Sequence, residues 1–339
     1  MKRIAISAGL AAAAATLSIS SASPARDPVD AIVYAASTAQ AGLTYTGVVQ
    51  SVVFGDEDGE AAVYRVEHRP PGLTERTYLS PSRLKGDVVL VRGTEGYFVD
   101  SKRRRVIETE NDALRDPIDR DDNYTLIRQN YRADSHADET FDGRHVKVVG
   151  LVNRYTGSTT MLMRIDDSTK LVLDRQEYAP DGTLLSETRF QEVRYVASLP
   201  NADFQVPASY AVVHGPTFGV STRNVSSVVR DAGFPARVPK TLAEGFCAVE
   251  GHDATVRSTA TVHVLYSDGV RTVSIFENTA GSATPREGAS STRVGNNDGE
   301  YLERGRNTVL SWNDGTLHYT LVGDLSLDEL KKLAASLTP

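Results

Sequence analysis

The sequence predicts an α+β protein, mostly β: an N-terminal curved antiparallel half-barrel packed on a helix, then a smaller α+β C-terminal domain. Three observations predict it. An apolar stripe at helical spacing follows residue 27, and about ten short segments of period two run from 43 to 197. Five of the chain's 14 prolines then fall within 200–239, ahead of a second set of strands. Short strands in direct succession make an antiparallel sheet curled into a barrel or half-barrel, not alternating βαβ units.

The 339 residues suffice for about two domains of ordinary size. Apolar residues make up 40 %, enough for packed cores. The net charge of −7 argues against a broad nucleic-acid-binding face, which must be basic. The single cysteine, Cys247, excludes internal disulfides and multi-cysteine zinc modules.

Lys2 and Arg3 precede an uncharged run from Ile4 to Ile19, and small residues from Ser20 to Ala25 follow. This is the pattern of a secretory signal peptide, cleaved after Ala22 or Ala25. The run is about 16 residues and rich in alanine, short of the roughly 20 that span a bilayer. The expected mature protein is exported, soluble and not membrane-spanning.

Asp27-Pro28 reads as an N-cap with proline at the first helical position. Val29, Ile32, Val33 and Ala36 then mark one face of a helix over 28–41, and Gly42 stops it. Strands follow from Leu43, among them 43–54, 61–69, 88–92, 97–100 and 105–109, with a turn at 56–59. A short helix at 124–131 separates these from strands at 145–154, 159–166, 171–179 and 184–196. Pro180-Asp181-Gly182 turns the last pair. Residues 207–238 read as a linker with one short helix near 225–232. Beyond Pro239, strands pair across Ser267-Asp268-Gly269 and Asn313-Asp314-Gly315, and residues 279–300 read as a mobile Gly/Ser-rich loop. Ser326 and Glu329 form a capping box for a final helix with Leu327, Leu330, Leu333, Ala334 and Leu337 on one face.

Catalytic signatures are missing from the sequence. There is no phosphate-binding Gly-rich loop with Lys-Ser/Thr, no His-Glu-x-x-His and no Gly-x-Ser-x-Gly. The seven histidines are scattered singly. Asp119-Arg120-Asp121-Asp122 lacks the ligand spacing of a calcium loop. The sequence therefore predicts a protein that is not an enzyme, with no cofactor and no metal. Lys102-Arg103-Arg104-Arg105 is either a solvated hairpin tip or a patch for an anionic headgroup or acidic partner.

Several segments resemble the MucB/RseB family. Leu43-Thr44-Tyr45-Thr46-Gly47-Val48-Val49 resembles its first strand, and Leu171 to Leu185 the strand, Asp-Gly turn and return strand that end its first domain. His263 to Glu277, with Tyr266-Ser267-Asp268-Gly269 at its bend, resembles the hairpin of its C-terminal domain. The entry at 239–246 fits with its proline displaced, and Leu321 to Leu325 before the last helix also fits. The resemblance implies a periplasmic negative regulator of an envelope-stress sigma factor. Such a protein binds the exported domain of a membrane-spanning anti-sigma factor and protects it from proteolysis, with lipid or lipopolysaccharide as the releasing ligand. It also implies a first domain similar to the lipoprotein carriers. The alternative is a periplasmic lipid or lipoprotein carrier or sensor without that partner; a homo-oligomer is compatible with either.

The expected divisions are 1–22 for the signal peptide, 27–206 for the half-barrel, 207–238 for the linker and 239–339 for the second domain. Residue type and strand position nominate Val48, Val52, Val89, Val91, Tyr97, Met161 and Met163 as cavity wall. Tyr266, Ser267, Asp268 and Gly269, with the 279–300 loop, are the expected partner-binding surface.

Overall fold

A computed structural model describes residues 28–54, 59–93, 95–110, 121–214, 222–256, 259–279, 287–304 and 307–337. The predicted signal peptide and its cleavage sites lie outside these residues, as do most of the turn at 56–59, Asp119 and Arg120.

Helix α1 (Pro28–Ala39) ends in a tight turn at Gln40–Gly42. The first sheet then begins with β1 (Tyr45–Val53), β2 (Glu60–Arg69), β3 (Leu73–Ser80), β4 (Val88–Arg92), β5 (Glu95–Asp100) and β6 (Arg105–Glu110). Helix α2 (Asp121–Asn130) leads into β7 (Tyr131–Ser135), β8 (Glu139–Phe141), β9 (Arg144–Asn153), β10 (Thr159–Asp166), β11 (Val172–Tyr178) and β12 (Leu184–Tyr195). Among the described residues the strand order is β6-β5-β4-β3-β2-β1-β12-β11-β10-β9-β7, with β8 also on β9. The sheet is curved and open, so the expected half-barrel is what forms.

Alternation along the strands puts one apolar face inward, where the predicted helical stripe meets it. Val33 and Ala36 are buried, and Val29 and Ile32 pack beside them. They share a core with Tyr124 and Ile127 of α2 and with Tyr131, Val149, Leu151, Met161, Met163 and Ile165 of the sheet.

The stretch 207–238 is more than a connection. It contributes β13 (Ala211–His214), which pairs parallel to β6 at the sheet edge, and α3 (Val225–Asp231), whose Val228 enters the second core. Sequence patterning misses β13 because four residues carry no period, and their partner is a hundred positions earlier.

The second sheet holds β14 (Cys247–Val256), β15 (Thr259–Ser267), β16 (Thr272–Asn278), β17 (Ser290–Val294), β18 (Asn297–Arg304), β19 (Asn307–Asn313) and β20 (His318–Gly323). Its order is β14-β15-β16-β20-β19-β18-β17, antiparallel throughout. Helix α4 (Leu327–Ala334) covers it with Leu330, Leu333 and Ala334, behind the predicted capping box. The expected loop over 279–300 is corrected in its second half. Ser290–Val294 and Asn297–Arg304 form a hairpin despite their polar composition, because β19 offers a ladder for β18 to join.

The segment before β14 is fastened to this sheet by buried polar groups. The Arg237 backbone N–H donates to Glu277 Oε2 at 2.6 Å, and the Arg237 guanidinium reaches Asp314 at 2.7 Å. Tyr266 donates its hydroxyl to the Pro239 carbonyl at 2.7 Å. Glu277 is only 1 % exposed, and burial pushes its carboxyl up to about 7 from an ordinary 4.5. The folded chain therefore keeps this proton between about pH 4.5 and 7, where the unfolded chain releases it. Stability contributed here falls as pH rises through that window and levels off above it. Glu277→Gln should then raise the melting temperature relative to the parent above pH 7, with the gap closing toward pH 4.5. Thermal melts across pH 4.5–8 check this, and a pH-independent gap would contradict it.

Candidate functional site

Two features of the fold are built for contact: a cleft of mixed polar and apolar lining in the first domain and a buried polar junction between the domains.

The cleft lies between the end of α1 and the inner face of the sheet. It is lined by Ala36, Gln40, Tyr45, Val49, Tyr64, Val66, Thr74, Arg76, Leu171, Val172, Arg175, Thr188 and Phe190, and its volume is about 90 Å³. Ala36 and Gln40 stand one helical turn apart on the same face of the α1 end. Tyr45 and Val49 are alternate inward positions of β1, and Tyr64, Val66, Thr74 and Arg76 continue the wall across β2 and β3. Beneath the wall, His68 bonds the Thr74 hydroxyl at 2.8 Å and stacks on Tyr45 at 5.1 Å. Burial drives His68 down to about 4, so it is neutral near pH 7.

None of the seven nominated wall residues lines this cleft. Val48 and Val52 alternate with Val49 and so face the other side of β1. Tyr97 is likewise on the outer face, packed with Leu90 and Val99 against Phe204 of the returning segment. Val89 and Val91 stand opposite Arg76 and Thr74, hence on the inner face, one strand beyond the cleft. Met161 and Met163 are 1 % exposed in the core under the helices. Residue type was a fair guide to burial; the face of each strand was not legible without a lining residue to fix its phase.

The basic tip at 102–105 is occupied within the chain. Arg103 and Arg105 reach Asp100 at 3.1 and 3.3 Å. Lys102 donates to the carbonyls of Ser82 and Arg83 at 2.7 and 3.0 Å. Arg104 lies over the Tyr210 ring at 5.4 Å and its carbonyl accepts from Ala211, which seats β13. This tip organises the sheet edge.

The junction is built on the turn between β15 and β16. Tyr266, Ser267 and Asp268 are at most 2 % exposed, so the expected partner-binding surface is a covered one: Tyr266 lies in the second domain's own core, and the first domain sits on Asp268 and Gly269. Tyr131 at the start of β7 donates its hydroxyl to Asp268 Oδ2 at 2.6 Å. Asn130 at the end of α2 donates to the Asp268 carbonyl at 2.9 Å and the Gly245 carbonyl at 3.0 Å. Asp268 Oδ1 accepts from the backbone of Val270 and Arg271, and its other oxygen meets the Arg271 guanidinium at 3.0 Å. Arg271 continues to Glu329 at 2.6 Å, in the capping box of α4. Val270 completes the contact by entering the core of Tyr124, Ile127 and Tyr131.

Electrostatics favour a neutral Tyr131 and a charged Arg271. Burial, and then the Asp268 carboxylate beside it, push the Tyr131 hydroxyl well above the usual tyrosine range. Burial alone would weaken the charge on Arg271, but Asp268 and Glu329 hold it above its ordinary value. Two glycines make the close approach feasible. At Gly269 (φ +105°) a Cβ would sit 2.6 Å from the Ile127 nitrogen, and at Gly245 (φ +78°) it would meet Asn130 Oδ1 at 2.2 Å.

Among the described residues no group of three or more His, Cys, Asp or Glu could hold a metal ion, and no helix is long and apolar enough to cross a membrane.

Comparison with known proteins bears on the fold. Residues 238–337 match the model of a domain of unknown function, DUF4367. No curated protein matches the chain. The chain is similar in structure to MucB solved in complex with MucA(peri), with 17 % identity and TM-score 0.62, covering 92 % of this chain and 98 % of that one. It is similar to the Pseudomonas aeruginosa MucA/MucB complex at 16 % identity and TM-score 0.65, covering 92 % and 99 %. Against MucB alone the values are 16 %, 0.54, and coverage of 91 % and 96 %. The fold is thus MucB-like over both domains, as the sequence resemblance implied.

Tyr131→Phe should cost about 1.5–3 kcal/mol, because it removes one hydrogen bond to a buried charged group. Gly269→Ala should cost more, because the αL-side turn and the Ile127 contact are both violated. Urea unfolding measures both; a change below about 0.5 kcal/mol for each would show that the junction does not couple the domains.

Proposed function

We propose that this chain is an exported regulator that holds the extracytoplasmic part of a membrane-spanning anti-sigma factor. In this reading the bound segment is shielded from proteolysis, and an acyl lipid or lipopolysaccharide at the cleft releases it. The signal peptide at 1–22 would deliver the chain to the periplasm. Residues 27–206 and 239–339 would act as the two working domains, with 207–238 between them. The protein binds and does not catalyse.

The observation that carries this reading is the likeness over both domains to MucB bound to MucA(peri), at 92 % coverage of this chain. A simple carrier has no need of the second domain, and this chain devotes a buried polar network to fixing that domain against the first. Whole-chain superposition is also better on the two complexes than on MucB alone. The cleft favours one alternative, a lipid carrier or sensor with no anti-sigma partner.

Calorimetry of the mature chain with the extracytoplasmic fragment of an anti-sigma factor from the same cell should give saturable one-to-one binding. A pull-down of the mature chain, read by mass spectrometry of both proteins and lipids, separates the readings. Recovery of acyl lipids with no anti-sigma factor, together with no heat of binding to the fragment, would sink the regulator and leave the carrier.

A further inference from the structure

The cleft wall carries a charge imbalance. Of its thirteen residues, two are arginines and none is acidic. Arg175 is already matched, with Glu177 at 3.4 Å. Arg76 is not: among the described residues its guanidinium makes no ion pair or hydrogen bond, and its one close partner is the Tyr64 ring, 6.0 Å from the guanidinium carbon. It is half-buried, and His68 nearby is uncharged near neutral pH. A partly desolvated guanidinium with no acceptor keeps its full capacity for a planar, bidentate anion. Around it stand the apolar groups of Tyr45, Val49, Val66 and Phe190. The cleft's volume of about 90 Å³ is room for about six to nine water-sized atoms, at roughly 10–15 Å³ each.

We propose that the cleft is a subsite for a compact amphiphilic anion, with its carboxylate or phosphate on Arg76 and a short apolar body against Tyr45, Val49, Val66 and Phe190. This rests on the cleft being the ligand site, as read above, and narrows what enters it. The same chemistry is offered by a free short-chain acid and by the anionic end of a longer lipid. The basic tip at 102–105 plays no part, since its cations are engaged within the chain.

The test titrates hexanoate, hexyl phosphate and hexylamine into the mature full-length chain, without any partner, by calorimetry and NMR. The two anions should bind saturably and hexylamine at least tenfold more weakly. Arg76→Gln should weaken hexanoate at least tenfold, whereas Arg103→Gln should leave it unchanged. Palmitate that displaces hexanoate and depends on Arg76 assigns the subsite to the end of a longer lipid; failure to displace assigns it to a free short acid. Equal binding of hexylamine, an unaltered affinity in the Arg76 variant, loss in the Arg103 variant, or no saturable binding of either anion would each overturn the proposal. The comparison of hexanoate with hexylamine needs no variant, so misfolding cannot obscure it. A chain that binds hexanoate in this way but not the anti-sigma fragment would overturn the regulator reading alone.

Discussion

The Asp268 carboxylate is the point on which the arrangement of this molecule depends. It lies at the tip of one hairpin, yet it is fully buried, and it binds three parts of the structure at once. It closes its own turn through the Val270 and Arg271 amides, receives Tyr131 from the first domain, and holds Arg271, which reaches the last helix through Glu329. A buried carboxylate is tolerated only when its hydrogen-bonding capacity is filled, and removing one partner of such a pair commonly costs about 3–5 kcal/mol. The two domains therefore meet through a polar contact that specifies one geometry, with Val270 supplying the apolar part.

Much of the fold was legible in the sequence where local chemistry decides local structure. The stripe Val29, Ile32, Val33 and Ala36 identified α1 and its buried face, and Ser326 with Glu329 identified the start of α4. Period-two runs and Asp-Gly turns located most strands. What failed depends on distant partners. The Asp268-Gly269 turn reads as a solvent-exposed hairpin because nothing near it says that Asn130 and Tyr131, more than 130 residues earlier, cover it. The hairpin over 290–304 was hidden by its Gly, Ser and Asn content, which signals a loop unless a neighbouring strand supplies hydrogen bonds.

The cleft failed for a different reason. Valines are abundant in these strands, and a strand buried on both faces carries them on both. The sequence gives no phase for such a strand, so Val48 and Val49 are equal candidates until the covering helix is placed. Arg76 and Thr74 would have been better guides than any valine. A cation and a hydroxyl set among inward positions are conspicuous, and polar groups in an apolar wall usually have a task. The four cations at 102–105 drew notice by their number, but each has a task within the chain.

The parallel pairing of β13 with β6 sets a leash. Among the described residues, His214 is the last held on the first sheet, and Thr222 is the next held on the second, bridged to Gly251. Eight residue steps between them cover at most about 28 Å when fully drawn out. If the Asp268 contact were broken, the second domain could swing but could not leave. Its binding face would stay near Tyr131 and Asn130 at an effective concentration in the millimolar range, as short tethers impose. Rejoining would then be a unimolecular event, independent of how dilute the protein is, and any competitor for the exposed turn would have to outbid a neighbour that is always present.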